Sequence, residues 1–164
     1  MTPIQEYFDG EKTQCTLGLI LALLFIGLAI FFLVQVKTDY YRGMAYPFLA
    51  IPVLLFVICV TIILRAPEDM IRVTKYAIEQ PTKIRTEEIP RMEKVIRNFK
   101  LIKIVEIAFI LAGIGMFFLA TKYPMIKGAG MGLTIQSTML LIFDLVAEKR
   151  GSVYIEYLRS ITGV

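Results

Sequence analysis

Four long apolar runs, separated by polar segments of unequal length, set the plan of this chain. The runs cover about residues 15–36, 46–64, 104–121 and 130–147. Each gives about 18–22 residues of helix, enough to cross the roughly 30 Å hydrocarbon core of a bilayer. Short polar turns join the first run to the second and the third to the fourth, which forces neighbours to run in opposite directions. A long polar segment, 65–103, joins the two pairs. The pattern predicts an all-α integral membrane protein, a four-transmembrane-helix bundle of two antiparallel hairpins with cytoplasmic amphipathic helices. It is expected to be a single membrane domain over 1–164.

The segments between the runs add detail. Met1–Gln14 carries Glu6, Asp9, Glu11 and one cation, Lys12, unlike the basic start of a signal peptide. No small-x-small cleavage site follows, so the first run is expected to be retained as a span. Met1–Gln14 itself is expected to be a short interfacial helix or a frayed terminus. Gly18 and Ala22 allow close helix approach. Lys37–Gly43 reads as a turn, with Tyr40, Tyr41 and Tyr46 at the level of an aromatic belt. Pro47 suits the first turn of span two, and Pro52 inside it predicts a kink.

In the connector, Pro67-Glu68-Asp69 has the composition of a helix start. A helix is expected over 67–79, ended by Gln80-Pro81, and then a polar loop over Thr82–Glu88. Ile89, Met92, Ile96, Phe99 and Lys103 recur at helical spacing. No breaker separates them from span three, so one helix of roughly 45 Å is expected from Pro90 to Ala120. Thr121–Pro124 should end it. Gly128 and Gly132 stand in GxxxG spacing, with Gly130 between them. After span four, 152–161 offers a further amphipathic stretch with Val153, Tyr157 and Ile161 on one face.

Charge orients this plan. The segment 65–103 holds ten of the eighteen Lys and Arg residues: Arg65, Arg72, Lys75, Lys83, Arg85, Arg91, Lys94, Arg97, Lys100 and Lys103. With Lys12, Lys149, Arg150 and Arg159, fourteen cations fall on the side of the termini. Lys37, Arg42, Lys122 and Lys127 are the four on the other side. The positive-inside rule then puts both termini and the connector in the cytoplasm, or in the equivalent compartment of an organelle. The expected location is an inner, plasma or organelle membrane.

Composition narrows the chemistry. Apolar residues make up 57% of the chain and the mean hydropathy is +0.68. There is no histidine, and Cys15 and Cys59 are the only cysteines. These counts exclude His-based metal sites, bis-His haem ligation and Ser-His or Cys-His nucleophile pairs. Both cysteines fall near the reducing face, where packed thiols are expected rather than a structural disulfide. No P-loop, GxSxG or HExxH motif is present. No cofactor is expected, and the protein reads as not an enzyme. A carboxylate pair at a membrane boundary leaves an interfacial lipid enzyme as a minor alternative.

The candidate intramembrane polar site is Lys103, Glu106, Gln136 and Asp144. Glu106 and Asp144 lie at similar depth near the connector side, and Gln136, Leu140 and Asp144 share a helical face. Charged groups inside a membrane cost about 2.5–3.5 kcal/mol at its centre, so they should face a bundle interior, a neighbour or water. One reading is a proton or ion relay. The other is a structural contact from Lys103 or Arg65 to Asp144 or Glu106. The two halves also share a hydropathy plan, in which Glu106, Gln136 and Asp144 align with Ile20, Ala50 and Ile58; polarity is expected in the second hairpin only.

The candidate docking surface is the basic face of Arg72, Lys75, Arg91, Lys94, Arg97 and Lys100. Juxtamembrane cations of this kind suit anionic lipid head groups or a protein, not nucleic acid. The expected partners are the lipid bilayer and another membrane protein or a second copy of this chain. In topology alone, over the whole chain and with no shared motif, the plan resembles the four-span immunity proteins that protect bacteria from pore-forming toxins. It equally resembles small accessory subunits of membrane complexes. The leading expectation is a non-enzymatic protein that binds another membrane protein. The alternative is an oligomeric channel or ion/solute transporter using Glu106, Asp144 and Gln136.

Overall fold

The computed structural model describes residues 2–163. Among them there is no strand, and four long helices account for nearly all of the chain. They are α1 (Pro3–Val36), α2 (Asp39–Glu79), α3 (Pro81–Leu119) and α4 (Pro124–Thr162). All four are long and apolar enough to cross a membrane. Each exceeds the roughly 20 residues a crossing needs, because each continues past its apolar run. The extensions gather at one end with both chain ends and the Glu79–Pro81 junction, the terminal end of the molecule. The turn end holds the breaks at Lys37–Thr38 and Ala120–Tyr123.

Continuity corrects five expectations. Residues 3–14 are neither a separate short helix nor frayed; they are the first turns of α1. Thr2 and Gln5 cap them reciprocally, each side chain bonded to the other's backbone N–H at 3.1 and 3.3 Å. The turn expected over Lys37–Gly43 shortens to two residues, and Pro47 lies well inside α2 rather than in its first turn. Pro67 is not a helix start, because α2 runs through it to Glu79. Asp69 takes Arg65 at 2.9 Å and Arg72 at 2.7 Å, so ion pairs bracket the turn in which Pro67 withholds its backbone donor. Thr82–Glu88 is not a loop but a helical segment with a widened turn at Ile84–Glu88, closed by a bond from the Ile89 N–H to the Ile84 carbonyl. A five-residue turn suits this place: Pro90, just beyond it, cannot donate to the carbonyl four residues back. The continuous helix expected from Pro90 to Ala120 is present, extended backwards to Pro81.

The helices lie in the order α1, α2, α4, α3, with a smaller contact between α1 and α4. Contacts such as Phe25 with Phe48 and Phe32 with Tyr41 pair rising numbers in α1 with falling numbers in α2. The same holds for α3 and α4, through Glu93 with Arg159 and Lys103 with Glu148. Between α2 and α4 the numbers rise together: Tyr40 faces Gly128 and Met44 faces Gly132. Beyond its first turns, α3 has substantial contact with α4 alone among the described residues.

Two cores hold the bundle. At the terminal end Ile4, Tyr7, Phe8, Ala66, Val73, Ile84, Ile89, Met92, Tyr154, Ile155 and Leu158 form one cluster. The face of 152–161 that packs is therefore Tyr154, Ile155 and Leu158, whereas Val153 and Ile161 are exposed. A smaller cluster of Ala29, Met44, Ala45 and Phe48 lies towards the turn end. There the closest contacts are made by glycine. A Cβ on Gly43 would stand 1.9 Å from the Met125 carbonyl oxygen, and one on Gly128 would stand 1.8 Å from that of Tyr40. Only residues without a side chain admit this approach.

Candidate functional site

The intramembrane polar residues sit on the α3–α4 seam. Lys103 reaches Glu148 at 2.5 Å, an ion pair that ties α3 to α4 at the edge of the spans. Its partner is thus neither Glu106 nor Asp144, and Arg65 is occupied by Asp69. One turn deeper, Glu106 is 5% exposed, and its carboxyl lies within hydrogen-bonding reach of Asp144. A contact between two carboxyls is a hydrogen bond only while one of them holds a proton. One Glu106 oxygen, Oε2, is buried without a partner.

Gln136 and Ser137 lie deeper. Gln136 is eight residues from Asp144, about 12 Å along the helix, so it belongs to a separate level of the seam. It is completely buried, and both amide atoms lack a hydrogen-bond partner; the Ser137 hydroxyl is in the same condition. The α2–α4 register explains its position. Tyr40 faces Gly128 and Met44 faces Gly132, so one further turn brings Phe48 opposite Gln136. Pro52 removes the backbone donor that would otherwise bond the Phe48 carbonyl. The structure therefore brings Lys103, Glu106 and Asp144 together near the terminal end and sets Gln136 apart.

The candidate docking cations divide. Arg72 holds Asp69, Lys75 meets Glu79 at 3.8 Å, and Arg91 grips the buried Glu88 with two bonds of 2.6 and 2.9 Å. Lys94, Arg97 and Lys100 are exposed and have no ion-pair partner among the described residues. They follow at three-residue spacing on α3, directly before its span.

A buried polar group at the terminal end escaped the sequence reading. The Tyr154 hydroxyl donates to Glu88 at 3.1 Å, and the Tyr154 ring stacks on Tyr7 at 4.1 Å. Burial, then the Glu88 carboxylate, raises the Tyr154 hydroxyl well above its ordinary value, so it stays protonated as a donor. Burial likewise raises Tyr7 and Glu11. The one local signal was spacing: Asp69 with Arg65 and Arg72, and Glu88 with Arg91, stand at i, i+3 or i+4. Tyr7 and Tyr154 lie too far apart in sequence for any local pattern to pair them.

No group of three or more His, Cys, Asp or Glu able to hold a metal occurs among the described residues. Cys15 and Cys59 are free and buried, facing each other between α1 and α2. No protein-family model, curated protein or solved structure matches this chain.

Proposed function

We propose that this is a non-enzymatic integral membrane protein that acts by binding another membrane protein through the open side of α3. Its four spans form two antiparallel hairpins, with both termini and 65–103 in the cytoplasm, as the cation distribution favours. The supporting observation is the one-sided packing of α3. Its span leans on α4 alone, and Leu101, Ile104, Leu111 and Phe118 are exposed along the rest. Towards the terminal end this apolar side meets Lys94, Arg97 and Lys100, whose charges are not used within the chain. A partner span with acidic residues at its cytoplasmic edge would complement both parts.

A photocrosslinking side chain at Leu111, compared with one at Leu23 on the exposed side of α1, tests this in native membranes. Leu111 is expected to capture a discrete protein partner and Leu23 only lipid. Equal capture at both, with a clean monomer in mild detergent, removes the proposal.

The unpartnered Gln136, Ser137 and Glu106 atoms favour a second reading, an oligomeric channel or transporter. Against it, the Lys103–Glu148 pair covers the seam at the terminal end, and towards the turn end the Gln136 stripe continues as Gly132 and Gly128 against the α2 backbone. Flux in liposomes that drops in Glu106→Gln and Asp144→Asn would establish this reading; flux absent, or equal in both variants, would end it.

A further inference from the structure

We propose that the groove between the start of α1 and the end of α4 binds the head group of an anionic glycerophospholipid, with Lys149 and Arg150 taking the phosphate. The proposal rests on the spans crossing a bilayer and is independent of what α3 meets. The groove has a volume of about 410 Å³, room for a phosphoglycerol group. It lies where α4 leaves its apolar run at Ala147 and α1 enters its own at Cys15, the depth at which phosphates sit.

Three observations carry it. Arg150 is half-buried yet has no ion-pair partner among the described residues. Buried guanidinium groups are ordinarily paired with an acid, because an uncompensated charge away from water is costly. Here the Arg150 side chain donates instead to the neutral Gln14 amide, and the Gln14 Nε2 is itself anchored on the Phe143 carbonyl at 2.6 Å. Guanidinium donors remain free, already oriented, and well suited to a phosphate. Glu11 lies within electrostatic reach, but its carboxylate accepts the Tyr7 hydroxyl at 3.5 Å.

Gly10 supplies the second observation. A Cβ there would come within 2.8 Å of Arg150 Nη1 and 2.9 Å of its Cδ, so this glycine is what lets Arg150 lie across α1. The third is the wall beside the cations. Val146 and Val153 are 56% and 61% exposed and line the groove with exposed Lys149. Val146, one turn nearer the span than the cations, suits the start of an acyl chain below a phosphate, and Val153, one turn beyond them, closes the far side of the groove. The exposed Glu6 on the rim repels phosphate and favours head groups with hydroxyls facing it.

The full-length protein, recovered from the membrane fraction and placed in nanodiscs of phosphatidylcholine doped with phosphatidylglycerol, tests this by native mass spectrometry of the lipids it retains. Phosphatidylglycerol is expected to be retained over phosphatidylcholine. Retention should fall about tenfold in Lys149→Gln/Arg150→Gln, the worth of a charge-assisted phosphate contact. It should fall similarly in Val153→Trp, which fills the groove without changing charge, and persist in the charge-matched Lys94→Gln/Arg97→Gln. Lys149→Gln alone, at an exposed side chain, keeps the charge arm readable if Arg150→Gln unfolds. Equal retention of both lipids, equal loss in the Lys94/Arg97 variant, or displacement by inorganic phosphate would each overturn the assignment. A chain absent from the membrane fraction would instead fail the spanning reading on which it rests.

Discussion

The two ends of this bundle are held together in opposite ways. At the terminal end, large side chains such as Phe8, Ile84, Met92 and Leu158 interlock, and buried carboxylates are gripped by Arg65, Arg72 and Arg91. Towards the turn end, α2 and α4 touch through backbone, at Gly43, Gly128 and Gly132. The difference follows from the surroundings each end suits. Burial of apolar side chains drives association only where the alternative is water. Inside a bilayer that drive is missing, and close backbone approach supplies the contact instead.

The largest effect should come from the glycine contacts. Gly128→Leu places a branched side chain where a Cβ alone already meets the Tyr40 carbonyl at 1.8 Å. Backbone cannot yield as a side-chain tip can, so the α2–α4 seam must separate, at a cost of about 3 kcal/mol or more. A methyl group on Gly27 or Gly115 would meet open space. Gly27→Ala or Gly115→Ala should leave unfolding in mixed micelles unchanged or shift it slightly upward, by at most about 1 kcal/mol from helix propensity. Equal damage at Gly27 and Gly128 would contradict backbone packing as the basis of the seam.

A smaller effect, and one that depends on pH, belongs to the terminal end. Tyr154→Phe keeps the stack on Tyr7 and removes one of the donors to Glu88, a loss of about 1 kcal/mol. The native Tyr154 hydroxyl is raised well above the ordinary tyrosine value, first by burial and then by Glu88. Above about pH 10 the unfolded chain therefore gives up this proton while the folded chain keeps it, and stability falls as pH rises. The wild type should lose stability with alkali more steeply than Tyr154→Phe, and Tyr7 sustains the remainder. Identical alkaline slopes in thermal unfolding would show that Tyr154 does not titrate as a buried donor.

The comparison also explains what was legible in the sequence. Apolar run length carried the four spans, because crossing a bilayer is a requirement on consecutive residues. The joints misled where local chemistry favours a stop but tertiary contacts override it. Pro67 has the setting of a helix start and Thr82–Glu88 that of a loop, yet burying Ala66, Asp69 and Val73 keeps α2 helical through the first, and burying Ile84 and Glu88 keeps the second helical; Gln80-Pro81 ends α2 as expected. Depth, a one-dimensional quantity, put Glu106 and Asp144 at one level, where their carboxyls face each other, while Lys103 turns to Glu148. Glu148 as the Lys103 partner, and the Tyr7–Tyr154–Glu88 group, depend on rotation about helix axes. A single sequence records that rotation only through spacing.

The smallest expected effect sits between the two ends, at Gln136, and its sign is informative. An amide completely buried with both polar atoms unpartnered lowers stability, since it has left water for no return. Gln136→Leu has similar volume and no polar atom, so it should raise resistance to unfolding by about 1 kcal/mol. Retained partner capture at Leu111 in this variant would mark the polar spot as incidental to binding. If Gln136→Leu instead lowers stability, the amide must hold something in the membrane, whether water, an ion or a group from a neighbouring chain. The Phe48 carbonyl left free by Pro52 is the natural second contact for it, and Pro52→Ala, which restores the backbone donor, should then weaken the same interaction.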